Sequence, residues 1–211
     1  MNTAQKFNNK FCFMGISPAS SILSDSGIAV IDRNLNLLRV DKIFDLDDLK
    51  IYIKNLAPIE SVIACVDLPR NMDMVTGKWR QEARNAQTFK LNEINNSKFV
   101  WAERFSDRGA ELCYFLSSLG IDVYRYYCYF TKNALKLSPP YKSRSPAACK
   151  YLQTIIQNNL KISGIPSNLI ALSGLDAIIG AYTALKMTTS EENVGYRYIG
   201  KYKDRLIVTS L

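Results

Sequence analysis

The chain has 211 residues, 47% of them hydrophobic and 22% charged, with a net charge of +8. That is the balance of an ordinary globular protein of one domain, long enough to bury a core. It contains no histidine, which excludes Ser-His-Asp and Cys-His engines and any His-ligated metal.

The first residues, Met1 to Lys10, are polar and lack a signal-peptide core. Phe11-Cys-Phe-Met-Gly-Ile16 predicts a first strand, ended by Ser17-Pro18. Gly27-Ile-Ala-Val-Ile31 predicts a second and Leu37-Leu-Arg-Val40 a third, joined across the turn residues Asp32-Arg-Asn-Leu-Asn36. Short turns between consecutive strands predict an antiparallel meander. From Asp45 to Leu56 the apolar residues Leu46, Leu49, Ile53 and Leu56 share one helical face, with acids in the first turn.

Ser61-Val-Ile-Ala-Cys-Val66 is a run of small and β-branched apolar residues, followed by Asp67 and Leu68-Pro69. It predicts a buried strand with a carboxylate at its carboxyl edge, where ligands bind in open α/β sheets. Residues 71–105 read as a polar insertion, with a short helix at Trp79-Arg-Gln-Glu-Ala-Arg84. A helix is predicted from Asp107 to Leu119, capped by Gly120, and a fifth strand from Ile121 to Tyr126. Ser138 to Pro146 is a loop, and helices follow at Ala147–Leu160 and Leu172–Met187. Tyr196–Tyr202 and Arg205–Thr209 predict a closing hairpin. This order predicts a mixed sheet covered on both faces.

The five cysteines, Cys12, Cys65, Cys113, Cys128 and Cys149, form no C-x-x-C pair. They read as buried thiols in a reducing, cytoplasmic compartment. No apolar run approaches the roughly 20 residues that span a bilayer, so no membrane partner is expected. Between Asp122 and Asp176 there is no acid, only Arg125, Lys132, Lys136, Lys142, Arg144, Lys150 and Lys161 interleaved with Tyr and Phe. Cations with aromatics suit a nucleic acid. The same pattern also fits a solvated basic face over a packed aromatic core.

Asp176 is the second acid of interest. Ser173, Asp176, Gly180 and Thr183 share one face of the last helix, and the face is small. Such a face lets the helix approach the sheet and bring Asp176 toward Asp67. The alternative is that Asp176 caps the start of the helix, as Ser173-Gly-Leu-Asp176 suggests.

These segments together resemble a family of predicted ribonuclease-H-like nucleases. The carriers are Gly15-Ile-Ser-Pro18, Val62-Ile-Ala-Cys-Val-Asp-Leu-Pro69, Trp79 to Arg84, Gly174 to Ala184, and Tyr198 to Val208. The resemblance implies a ribonuclease-H-like α/β fold with a mixed five-stranded sheet, helices on both faces and a C-terminal β-hairpin. It implies phosphodiester hydrolysis on nucleic acid, with Asp67 and Asp176 as catalytic residues and ligands of Mg2+ or Mn2+. Arg80, Arg84, Lys142 and Arg144 become candidate nucleic-acid contacts. Two positions depart from the family. Its first strand ends in an acid where this chain has Ser17, and its fifth strand often carries a Glu where this chain has Tyr124-Arg125-Tyr126. Asp25, Asp73 and Glu82 are the acids available to stand in. The departures leave open a protein on the same fold that binds nucleic acid or another partner without cutting.

Overall fold

A computed structural model describes residues 12–56, 62–68, 97–141, 144–202 and 205–211. Strands β1 (Cys12–Ser17), β2 (Ser26–Asp32) and β3 (Leu37–Ile43) form the expected meander, each antiparallel to the next. The β2–β3 turn is built by Asp32. Its carboxylate accepts from the backbone N–H groups of Asn34 (2.8 Å) and Asn36 (2.9 Å) and from the Asn36 side chain (2.8 Å). Helix α1 (Leu46–Asn55) starts at Asp45, whose side chain accepts from the N–H groups of Asp47 and Asp48.

Strand β4 (Val62–Asp67) lies parallel to β1 on the side away from β2. Helix α2 (Ser97–Ser118) and strand β5 (Asp122–Tyr126) follow, with β5 parallel to β4. Then come α3 (Cys128–Ala134), α4 (Pro146–Asn159), α5 (Leu172–Thr189), β6 (Tyr196–Tyr202) and β7 (Arg205–Ser210). The seven strands are ordered β3-β2-β1-β4-β5-β7-β6. This is the mixed α/β sheet with helices expected from the sequence, with three corrections. The hairpin is part of the sheet rather than an appendage, because β7 pairs with β5 at Arg125–Ile207 and Tyr126–Val208. Helix α2 begins ten residues before the expected Asp107, taking up residues 97–105. Helix α3 falls in the aromatic stretch, where seven residues are too few to display a helical period.

Alternation along β1 divides the core. Cys12, Met14 and Ile16 face one layer with Leu49 and Ile53 of α1 and Leu112 and Leu116 of α2. Phe13 faces the other, with Leu152 and Ile156 of α4 and Ile178 and Ala181 of α5. Helix α5 is buried on most of its circumference, because it lies directly on the backbones of β1 and β2. A Cβ built on Gly15 would lie 1.8 Å from the Ala177 carbonyl oxygen and 2.4 Å from the Ala181 nitrogen. One on Gly27 would lie 2.0 Å from the Ser173 carbonyl oxygen. No other residue type fits either place. No helix among the described residues is long and apolar enough to cross a membrane.

Gly15→Ala should therefore lose about 3 kcal/mol, the upper end for overpacking, since the added methyl meets backbone rather than a movable side chain. Chemical denaturation at constant m-value would measure it. A loss below about 1 kcal/mol would show that α5 can retreat from β1.

Candidate metal centre

Strand register builds the site. Ile16 pairs with Val66 across β1 and β4, and Asp67 pairs with Tyr126 across β4 and β5. Ser17, Asp67 and Tyr126 thus stand in one row at the carboxyl ends of three neighbouring strands, all on the α5 face. The chain leaves β1 toward β2 on one side, while β4 lies on the other. This is the switch point where open α/β sheets bind ligands.

Asp67 is 4% exposed. Its Oδ1 accepts the backbone N–H of Cys128 at 3.1 Å, so it also ends the first turn of α3. The Ser17 hydroxyl lies 3.4 Å from its Oδ2. Asp176 is delivered from the second turn of α5. It does not cap that helix, whose N-cap is Ala171. Its side chain pairs with the ammonium of Lys132, and its carbonyl oxygen accepts the hydroxyl of the buried Tyr126. Ligand atoms of Asp67, Cys128 and Asp176 all lie within 4.8 Å of one another.

The electrostatics follow from burial and like charge. Desolvation first, and Asp176 second, push the Asp67 carboxyl up to about 8, against the opposing pull of the Cys128 N–H, Lys132 and Arg125. Burial, reinforced by Asp176, raises the Cys128 thiol well above its ordinary range, so it stands as a neutral thiol. Desolvation works against the Lys132 ammonium, but its neighbours together, Asp176 foremost, more than offset it, and Lys132 holds its proton beyond the usual lysine range.

The donor set available to a metal is thus two carboxylates, which suits a hard ion of the magnesium type completed by water or phosphate oxygens. Among the described residues no third carboxylate joins the pair, and the neighbour of Asp67 on β1 is the Ser17 hydroxyl.

The pair opens into a cleft of about 1170 Å³. Its charged lining consists of Lys42, Lys132 and Arg144 against Asp25, Asp41, Asp67 and Asp176. Among the described residues that line it, acids outnumber cations, although the chain as a whole is basic. Among the stand-in acids, Asp25 accepts the Ser173 hydroxyl and is not part of the Asp67–Cys128–Asp176 group. Asp73 and Glu82 lie outside the described residues, as do the candidate contacts Arg80, Arg84 and Lys142. Arg144 is exposed on the cleft wall.

Arg125 does not stand where the sequence comparison put a cation. It belongs to the opposite face of β5 by the two-residue period. Buried there, its guanidinium donates to the carbonyls of Val66 (3.1 Å), Asp67 (2.7 Å) and Ser106 (3.3 Å). It holds the end of β4, and so the Asp67 backbone, from behind. Gly109 of α2 leaves it room, since a Cβ there would lie 2.5 Å from Nη2.

Sequence reasoning missed Lys132, Cys128 and Tyr126. The signal for the first two was a four-residue spacing on α3, which required recognising that helix. The signal for Tyr126 was its parity with Asp67 across the parallel strands.

No family model matches the chain, and no curated protein matches it. Among the solved structures that match, T. thermophilus RuvC in complex with Holliday junction substrate is similar at 15% identity and a TM-score of 0.47. The match covers 85% of this chain and 96% of that one.

Asp67 generates a pH prediction. Its folded pKa of about 8 stands above the ordinary carboxyl value of 3.8, so without metal the folded state holds a proton that the unfolded chain releases. The associated stability is complete below about pH 4 and is lost as pH rises through 8. Metal-stripped Asp67→Asn should melt above wild type at pH 8.5 by about 4 °C or more, and the gap should close toward pH 4. Thermal unfolding across that range in chelator measures it, and a gap independent of pH would place the proton elsewhere.

Proposed function

We propose that this protein is a metal-dependent nuclease of ribonuclease-H-like type, acting on nucleic acid through Asp67 and Asp176. The observation that carries the reading is their convergence. One acid from a strand end and one from a helix 109 residues later meet in a cleft at the sheet's switch point. A buried carboxylate with a half-buried one beside it is costly to maintain, and such an arrangement suits a protein that gains a cation there.

Asp67 and Asp176 would hold one ion of the Mg2+ or Mn2+ type. When bound, that ion supplies Lewis-acid stabilisation of charge on a phosphodiester oxygen. The chain's own groups orient the acids. The Cys128 N–H and the Ser17 hydroxyl aim Asp67, Arg125 anchors its backbone, and Tyr126 ties the Asp176 carbonyl. Arg144 on the cleft wall is the described candidate for a phosphate contact, and Arg80, Arg84 and Lys142 complete the proposed set.

Ser17 favours a second reading, in which the same cleft binds nucleic acid without cutting. A hydroxyl beside Asp67 contributes no charge where a third carboxylate would complete a two-ion site.

Labelled single-stranded, duplex and branched DNA and RNA, incubated with Mg2+ or Mn2+, separate these readings. The nuclease reading expects product from at least one substrate. Asp67→Asn and Asp176→Asn should each lower the rate about 100-fold or more, the scale for losing an electrostatic contact to the transition state. Salt-sensitive binding with no product from any substrate supports the binding reading. Undiminished cleavage by both variants would dismiss this site.

A further inference from the structure

Lys132 has no role in the nuclease scheme, yet it sits at the centre of it. Its ammonium pairs with Asp176 Oδ1, and the two side chains are only 15% and 16% exposed. The pair is a shielded contact facing the metal-binding space, unlike a surface ion pair worth little. Helix α3 also holds Lys132 in register with Asp67. Cys128, whose N–H anchors Asp67, lies one helical turn before Lys132. The helix thus presents an N–H to one acid and an ammonium to the other.

A divalent ion bridging Asp67 and Asp176 needs an oxygen of each carboxylate. With Lys132 still in place, three positive charges would crowd two carboxylates, and the ammonium would lie against the ion. We infer that Lys132 is an internal competitor for the metal, occupying on Asp176 the position the ion requires and leaving that carboxylate when the ion binds.

The competition has a consequence for the substrate. A displaced ammonium remains in the cleft, where a phosphodiester is an acceptor for it. Metal then binds weakly to the free protein and more tightly when a nucleic-acid strand is present to receive Lys132. This inference rests on the reading of Asp67 and Asp176 as metal-holding.

The test measures Mn2+ binding directly, by the paramagnetic resonance signal of free Mn2+ titrated with metal-stripped full-length protein. The variants are Lys132→Gln, Lys132→Arg and Asp176→Asn, each checked for wild-type circular dichroism. Lys132→Gln should bind Mn2+ about tenfold more tightly than wild type, the scale on which partners of a metal ligand change affinity. Lys132→Arg keeps the charge and should stay near wild type or weaker, and Asp176→Asn should lose the site. A single-stranded oligonucleotide should tighten Mn2+ binding to wild type and do so less for Lys132→Gln. Equal or weaker binding by Lys132→Gln overturns the competition, as does a failure of every form to bind Mn2+. Tighter binding by Lys132→Gln, with cleavage by neither protein, upholds the competition and dismisses the nuclease reading. Cleavage by wild type without the gain in affinity does the reverse.

Discussion

The contact on which the rest of the structure depends is the approach of α5 to β1 and β2 at Gly15 and Gly27. The helix lies so close that its own carbonyls fill the space where strand side chains would stand. That distance brings Asp176 to the carboxyl ends of the strands. Gly180 extends the effect: it leaves space for the Tyr126 ring, whose hydroxyl reaches the Asp176 carbonyl. With a larger residue at any of these places, α5 would stand off the sheet and the acids would separate. The small face of the helix serves packing and site geometry together.

The second constraint is charge in a buried place. Asp67 is almost fully enclosed, with Asp176 beside it and the Lys132 ammonium paired to Asp176. The backbone N–H of Cys128 and the pull of Lys132 lessen the penalty without removing it, which is why the Asp67 carboxyl retains a proton to about pH 8. Such a centre is a weak contributor to stability. Arg125 shows a different use of a buried cation. It acts through three carbonyls on the far face of the sheet and holds the strand end that carries Asp67, while remaining outside the site.

These placements also revise the meaning of the basic stretch between Asp122 and Asp176. Arg125 is engaged by backbone and Lys132 by Asp176, so neither forms part of an exposed cationic surface. Lys136, Arg144, Lys150 and Lys161 are exposed. The aromatics divide likewise. Tyr126 and Tyr127 are buried, whereas Phe130 and Tyr141 are largely exposed. Among the described residues, the cleft lining carries more acids than cations.

The sequence by itself determined the meander, the first helix, the buried strand ending at Asp67, the two helices before the hairpin and the hairpin strands. Each has a local cause: alternation, a capping acid, a run of β-branched residues, or Gly and Pro at the ends. The small face around Asp176 was legible for the same reason. Tertiary structure alone decided that the hairpin joins β5, that Arg125 turns away from the site and that Lys132 turns into it. Joining the sheet depends on hydrogen bonds between residues about 80 positions apart. The fate of each cation depends on which face of a strand or a seven-residue helix it occupies. Charge is visible in a sequence, but the partner that neutralises it is chosen by folding, because burial and distance set the strength of the pairing.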